Sequence, residues 1–280
     1  MAARPVLDAG RRPGWSRMAV VLVVGLVAGL VTAAGCSRPP PAPQPSPAPA
    51  RPGFVVLSDV DSRIRADIRY ASTHNFVGQP VAGYAEPLCL LTATAAEALR
   101  AVQDAALATG HTLKVYDCYR PQRAADEFRT WAARPDDQQM KAEFYPRVAK
   151  SDLFPRGYLG APSAHSRGST VDLTLVAVPA PGQARYVPGQ PLVACTAPRA
   201  ERFGDNSVDM GTGFDCFDPL AHTGTTRISV TARENRRLLR QLMTDGGFAG
   251  YDREWWHFRY RAEPWPDTYF DLPVTRSSAG

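Results

Sequence analysis

The chain has 280 residues, 44% of them hydrophobic and 21% charged, which is ordinary globular material and long enough for one well-filled core. Much of the +5 formal charge sits at the start: residues 1–35 hold four Arg and one Asp, a net of +3, so the remainder carries 5 − 3 = +2. No basic cluster or aromatic-basic alternation accompanies that small excess, which excludes a nucleic-acid partner.

Arg4, Arg11, Arg12 and Arg17 precede an uncharged apolar run from Met18 to Val31, and Ala33-Ala34-Gly35 leads into Cys36. That order is a secretory signal peptide over residues 1–35. Small residues directly before a cysteine resemble a bacterial lipobox, in which Cys36 would be lipidated and tether the mature chain to the membrane. Ala33 stands where the strongest lipoboxes carry Leu, so simple cleavage and secretion is the alternative. An uncleaved anchor is the third reading, although the run is shorter than the ~20 residues a spanning helix needs. All three put the folded part outside the cytoplasm. Residues 36–53 are proline-rich, an extended spacer with no means of building a core.

From Phe54 to the end at residue 280 the pattern is that of one mixed domain. Phe54–Leu57 and Ile68–Tyr70 are short β-prone runs. Thr94-Ala-Ala-Glu97 has the form of a capping box, opening a helix whose stripe of Leu99, Val102 and Ala106 lasts until Gly110. Thr112–Tyr116 alternates like a half-buried strand and leads into Asp117-Cys-Tyr-Arg-Pro121. The proline holds Arg120 out of helical geometry, at a strand-to-helix switch where side chains commonly face a site. An ordinary ion pair of Arg120 with Asp117 or Asp126 is the other reading. A helix follows from about Gln122 to Ala133. Residues 134–162 carry no clear period.

Val171–Val178 is strongly β-forming. Alternation puts Val171, Leu173 and Leu175 on one face and Asp172 on the other, toward a cleft, with His165 in a turn seven residues earlier. Pro179 to Leu220 reads as a long loop of the kind that walls a site. Thr231-Ala-Arg-Glu234 repeats the capping-box form before a helix ending at Gly246-Gly247. Trp255–Tyr260 is aromatic and strand-like. Four cysteines lie beyond Cys36, and an even number in an exported chain favours disulfides. Their placement suggests Cys89 with Cys118 and Cys195 with Cys216, buried free thiols being the alternative.

Of the five histidines, His165 and His257 each sit with a carboxylate at fixed spacing, in Ser163-Ala-His-Ser-Arg-Gly-Ser-Thr-Val-Asp172 and Glu254-Trp-Trp-His-Phe258. His165, Asp172 and His257 as ligands, with Glu254 as a base, is what a hydrolytic zinc centre requires, because a fourth position stays open for water.

Those two stretches, with Tyr119-Arg120-Pro121 and Asp209-Met-Gly, resemble the VanX-type D-alanyl-D-alanine dipeptidases, in order from about Asp67 to Leu272. The resemblance implies an α+β fold with a central antiparallel sheet flanked by helices, as in related carboxypeptidases and the hedgehog signalling domain. It implies one Zn2+ on His165, Asp172 and His257, Glu254 as catalytic base, and Arg120 stabilising the tetrahedral intermediate. Asp209 matches a position that receives the substrate's free amino end, and Ser163 lines the pocket. The implied partner is a small D,D-dipeptide, used in cell-wall turnover or salvage. Ala164, Thr170 and a longer insertion before Asp209 depart from the pattern. The alternatives are a D,D-carboxypeptidase or peptidoglycan endopeptidase of the same group and, in another class, a zinc-stabilised module that binds wall peptides without cutting them.

Overall fold

The computed structural model describes residues 52–280; the expected signal peptide, Cys36 and nearly all of the proline-rich stretch lie outside the described residues. Short elements come first: strand β1 (Phe54–Val56), helix α1 (Leu57–Val60), strand β2 (Arg65–Ala66) and strand β3 (Leu90–Thr92). Helix α2 (Ala93–Ala108) and strand β4 (His111–Asp117) follow, then helices α3 (Gln122–Ala132) and α4 (Lys141–Phe144). The last four are strand β5 (Thr170–Ala177), helix α5 (Val230–Asp245) and the hairpin of β6 (Phe248–Tyr251) and β7 (Glu254–Tyr260).

Five strands form one sheet in the order β2-β4-β5-β7-β6, and β1 pairs with β3 in a separate two-stranded sheet. The central sheet is antiparallel except at its edge, where two residues of β2 run parallel to β4. This is the α+β architecture expected from the sequence. Strand β5 lies at the centre and is buried along nearly its whole length, which explains why all its residues but Asp172 are β-branched or aliphatic. Helix α2 buries Leu99, Val102 and Ala106, and α5 buries Leu239, Leu242 and Met243; at helical spacing each set makes one apolar stripe, and the two helices pack together. Gln103 closes the open edge of β4, donating to Thr112 Oγ1 at 2.8 Å while accepting the Leu113 N–H at 2.8 Å.

Three expectations shift. Ile68–Tyr70 is not a strand: Arg69–Ala71 forms a 3-10 turn that sends Arg69 into a buried ion cluster and Tyr70 toward the cleft. Neither capping box operates. Helix α2 starts after Thr92, whose hydroxyl is engaged by Ser169, and α5 is capped by Ser229, which accepts the Ala232 N–H at 3.0 Å. Each S/T-x-x-E match lies two residues inside its helix, where the threonine cannot reach the free N–H groups. The β6 strand was not foreseen, being short and half Gly and Ala.

Both suggested disulfides are present, Cys89–Cys118 and Cys195–Cys216. The long loop does not hang free over the sheet. Asp205 accepts from Lys114, from Tyr116 at 2.7 Å and from Arg69 at 2.9 Å. Burial alone would raise the Asp205 carboxyl, but the charges of Arg69 and Lys114 hold it well below the ordinary range. Removing that carboxylate leaves two nearly buried cations sharing Asp67 alone as a counter-charge. Asp205→Ala is therefore expected to cost about 3 kcal/mol, read as a lower midpoint in urea denaturation; a midpoint equal to wild type would show that the cluster does not hold the loop.

Candidate metal centre and substrate cleft

Local chain geometry brings the first motif together. Ser163 caps a 3-10 turn over Ala164–Arg167, accepting the His165 N–H at 3.3 Å, and Gly168 leaves that turn at φ +79°, a left-handed conformation that favours glycine. Strand pairing supplies the rest: Asp172 of β5 stands directly opposite His257 of β7. On its other side Asp172 faces Asp117 of β4, because the register shifts between Val115 and Asp117. The result is one cross-strand row of Asp117, Asp172 and His257, with His165 folded over it.

Three ligand atoms converge there. His165 Nε2 lies 3.3 Å from Asp172 Oδ1, His257 Nδ1 lies 3.0 Å from the same oxygen, and the two ring nitrogens are 3.2 Å apart. A tetrahedral ion with bonds of about 2.0–2.1 Å separates its ligands by about 3.3 Å, so the spacing fits zinc. A proton shared between any two of these atoms leaves the third without a partner, whereas a cation serves all three. The tautomer agrees: His165 Nδ1–H donates to the Cys118 carbonyl at 2.7 Å, which turns the Nε2 lone pair inward. Burial lowers the His257 pKa against the pull of Asp172, favouring the neutral ring that a metal requires.

Glu254 opens β7, buried, with Oε2 3.7 Å from His257 Nδ1. Burial first, then the negative charges of Asp172 and Asp215, push its carboxyl well above the ordinary range; a cation among the three ligands would act in the opposite sense. Arg120 pairs with Asp117, as one of its two sequence readings anticipated, but it is not on the surface. Its guanidinium holds Asp117 Oδ2 at 2.9 Å through both Nε and Nη2, reaches to 3.6 Å from Asp172 Oδ2, and lies over the rings of Tyr70 and Phe128. Nη1 donates to Ser163 Oγ at 3.5 Å. Since Ser163 Oγ accepts from Arg120 and from the His165 N–H, its own hydroxyl proton is free to donate into the cleft.

The cleft has a volume of about 340 Å³ and is lined by Arg120, Ser163, Asp215, Tyr251 and Glu254 with the three ligand residues. Asp209 does not reach it. It accepts from Arg202 at 2.8 Å and from the Gly211 N–H at 2.9 Å, which make it a structural turn residue. The carboxylate of this segment that lines the cleft is Asp215, six residues later, at φ +52° and accepting from Tyr70 O–H at 2.8 Å. Burial and the nearby Asp172 push the Asp215 carboxyl up to about 8. A positively charged ligand group arriving beside it would return it to the ionised form.

Arg236 of α5 fixes the segment that carries Asp215. Its guanidinium is buried, binds no carboxylate among the described residues, and donates instead to the carbonyls of Met210, Leu220 and His222 at 2.7, 2.9 and 2.9 Å. Those carbonyls lie on both sides of Asp215. A second cavity, of about 110 Å³, lies behind Thr212–Phe214. Of its charged groups Arg69 pairs with Asp205, Glu143 with His74 and Arg202 with Asp209, while Arg199 donates to the Ser207 carbonyl.

The family model for D-Ala-D-Ala dipeptidases, peptidase family M15, matches residues 50–179 and 199–275. A D-alanyl-D-alanine dipeptidase of Streptomyces coelicolor is 38% identical over 221 residues, 79% of this chain and 98% of that one. One of Enterococcus faecalis is 37% identical over 223 residues, 80% and 98%. One of Escherichia coli is 31% identical over 195 residues, 70% and 78%. The stretch between residues 179 and 199, within the long loop, falls outside the family match.

Proposed function

Because this chain belongs to the D-Ala-D-Ala dipeptidase family of peptidases, we propose that it hydrolyses D-alanyl-D-alanine with zinc held by His165, Asp172 and His257. The observation that carries the reading is the convergence of those three ligand atoms within 3.0–3.3 Å of one another beside the buried Glu254. When bound, the ion supplies Lewis acidity toward the peptide carbonyl and acidifies a water.

The protein's own groups do the rest. Glu254 accepts the proton of the attacking water and returns it to the leaving amine. Arg120, fixed by Asp117, presents its charge where the carbonyl oxygen turns anionic. Asp215, oriented by Tyr70, receives the substrate ammonium. The free hydroxyl proton of Ser163 is directed to the polar groups of the substrate. A zwitterionic dipeptide thus meets a receptor for its charged amino end, which is why a free dipeptide suits this cleft better than a peptide blocked at that end.

The leader and Cys36 support an exported, lipid-anchored enzyme acting on wall-derived dipeptide, in turnover or salvage. Such an enzyme has no access to a cytoplasmic D-Ala-D-Ala pool.

Glu254→Gln should keep about one zinc per chain and lose about 10²- to 10⁴-fold in kcat, while His257→Ala should lose the metal itself. Wild-type turnover by Glu254→Gln would remove Glu254 from the mechanism. For the amino end, Asp215→Asn should lower kcat/KM for the dipeptide by about 10- to 100-fold, the weight of one charged hydrogen bond. Asp209→Asn should change it by less than about threefold; the reverse ranking would restore Asp209 as the receptor. Cell fractionation tests the anchor: Cys36→Ser should shift the enzyme from the membrane fraction, and an unchanged distribution would rule lipidation out.

A further inference from the structure

The turn joining β6 to β7 reaches across the cleft. Tyr251 ends β6 opposite Glu254 in the hairpin register, and its ring centroid lies 5.8 Å from that of His257. Its hydroxyl donates to the Gly157 carbonyl at 2.9 Å. Tyr251 and Gly157 both line the cleft, one from the hairpin and the other from the segment before Ser163, so this hydrogen bond bridges two parts of its lining. Gly157 has φ +73°, and a Cβ there would come 3.0 Å from the tyrosine hydroxyl, so the close approach is built around a glycine. At its far end the same segment is held by Arg129, which donates to the Ala161 carbonyl at 3.1 Å, and by the Ser163 cap. Tyr251 provides the pin on the hairpin side.

We propose that Tyr251 is a specificity-determining residue that limits substrate length at the carboxyl end; this rests on the dipeptidase reading above. The direction follows from proton transfer. Glu254 must reach the leaving amine, so the second residue of the substrate lies on the Glu254 side of the cleft, with its amino end at Asp215. Tyr251, paired with Glu254 across the hairpin and 37% exposed, stands at the outer rim of that side. A third residue on the carboxyl end has to pass where the hydroxyl meets the Gly157 carbonyl. A third residue on the amino end meets Asp215 and is unaffected by the bridge.

Two tripeptides separate these ends. D-Ala-D-Ala-Gly, extended at the carboxyl end, gives D-Ala and D-Ala-Gly when its first bond is cut. Gly-D-Ala-D-Ala, extended at the amino end, gives Gly-D-Ala and D-Ala. Each is assayed against D-Ala-D-Ala with the zinc-loaded wild type, Tyr251→Phe and Gly157→Ala. Tyr251→Phe deletes only the donor, and Gly157→Ala pushes the same pair apart from the other side. In both variants the kcat/KM ratio of D-Ala-D-Ala-Gly to dipeptide should rise by about fivefold, the weight of one net hydrogen bond. The ratio for Gly-D-Ala-D-Ala should stay at its wild-type value. An unchanged ratio for D-Ala-D-Ala-Gly in both variants overturns the proposal, and so does an equal rise for both tripeptides, which would report general loosening. A wild type that cuts no D-Ala-D-Ala refutes the dipeptidase reading itself, a result visible before any variant is made.

Discussion

Cross-strand pairing at the end of the central sheet governs this molecule. Asp172 has Asp117 on one side and His257 on the other, so two carboxylates occupy adjacent positions in one buried row. Like charges so placed repel, and the surroundings answer with cations. Arg120 touches both acids, and three lone pairs converge where a metal ion fits. The register shift in β4 matters here: with the pairing of Val115 and Leu173 continued regularly, Asp117 would face Val171 instead. One irregular residue therefore moves a charge by a full position, into the row that Arg120 contacts at both acids.

The other side of the cleft is built without secondary structure. Asp215 sits in a loop where no ladder can fix it, and two arginines take over that task. Arg236 grips carbonyls before and after it, and Arg69 helps hold Asp205 to the sheet. Such buried arginines cost desolvation unless their donors are used; Arg236 spends its donors on chain carbonyls, and Arg69 divides its own among Asp67, His74 and Asp205. Sheet and pinned loop meet along the cleft, one presenting Asp172 and His257 and the other Asp215.

Much of this was legible in the residues. His165, Asp172, Glu254 and His257 lie in compact motifs on or beside a strand, where period and spacing fix direction. The two disulfides and the main helices were readable for the same reason. What escaped reading lies where side-chain direction is set by distant contacts. Asp209 and Asp215 share one glycine-rich stretch, and local pattern does not say which turns inward. The choice is made by Tyr70, 145 residues away in sequence, which itself leaves the expected strand for a 3-10 turn. Tyr251 escaped because its meaning depends on Gly157 across the cleft. The capping boxes misled because a four-residue pattern recurs by chance one half-turn from the true helix start.

The placement of the two disulfides has one more consequence. Cys118 is bonded through sulfur to Cys89, and its carbonyl is the atom that orients His165. Cys216 follows Asp215 directly and is bonded to Cys195, which belongs to the stretch outside the family match. Each cross-link thus ends at a residue adjoining the cleft, one beside His165 and one beside Asp215. Thiol oxidation removes chain entropy from the segments that must be ordered for chemistry. Maturation of the catalytic geometry is therefore coupled to oxidative folding, and the redox poise of the surroundings becomes a determinant of how completely the centre assembles.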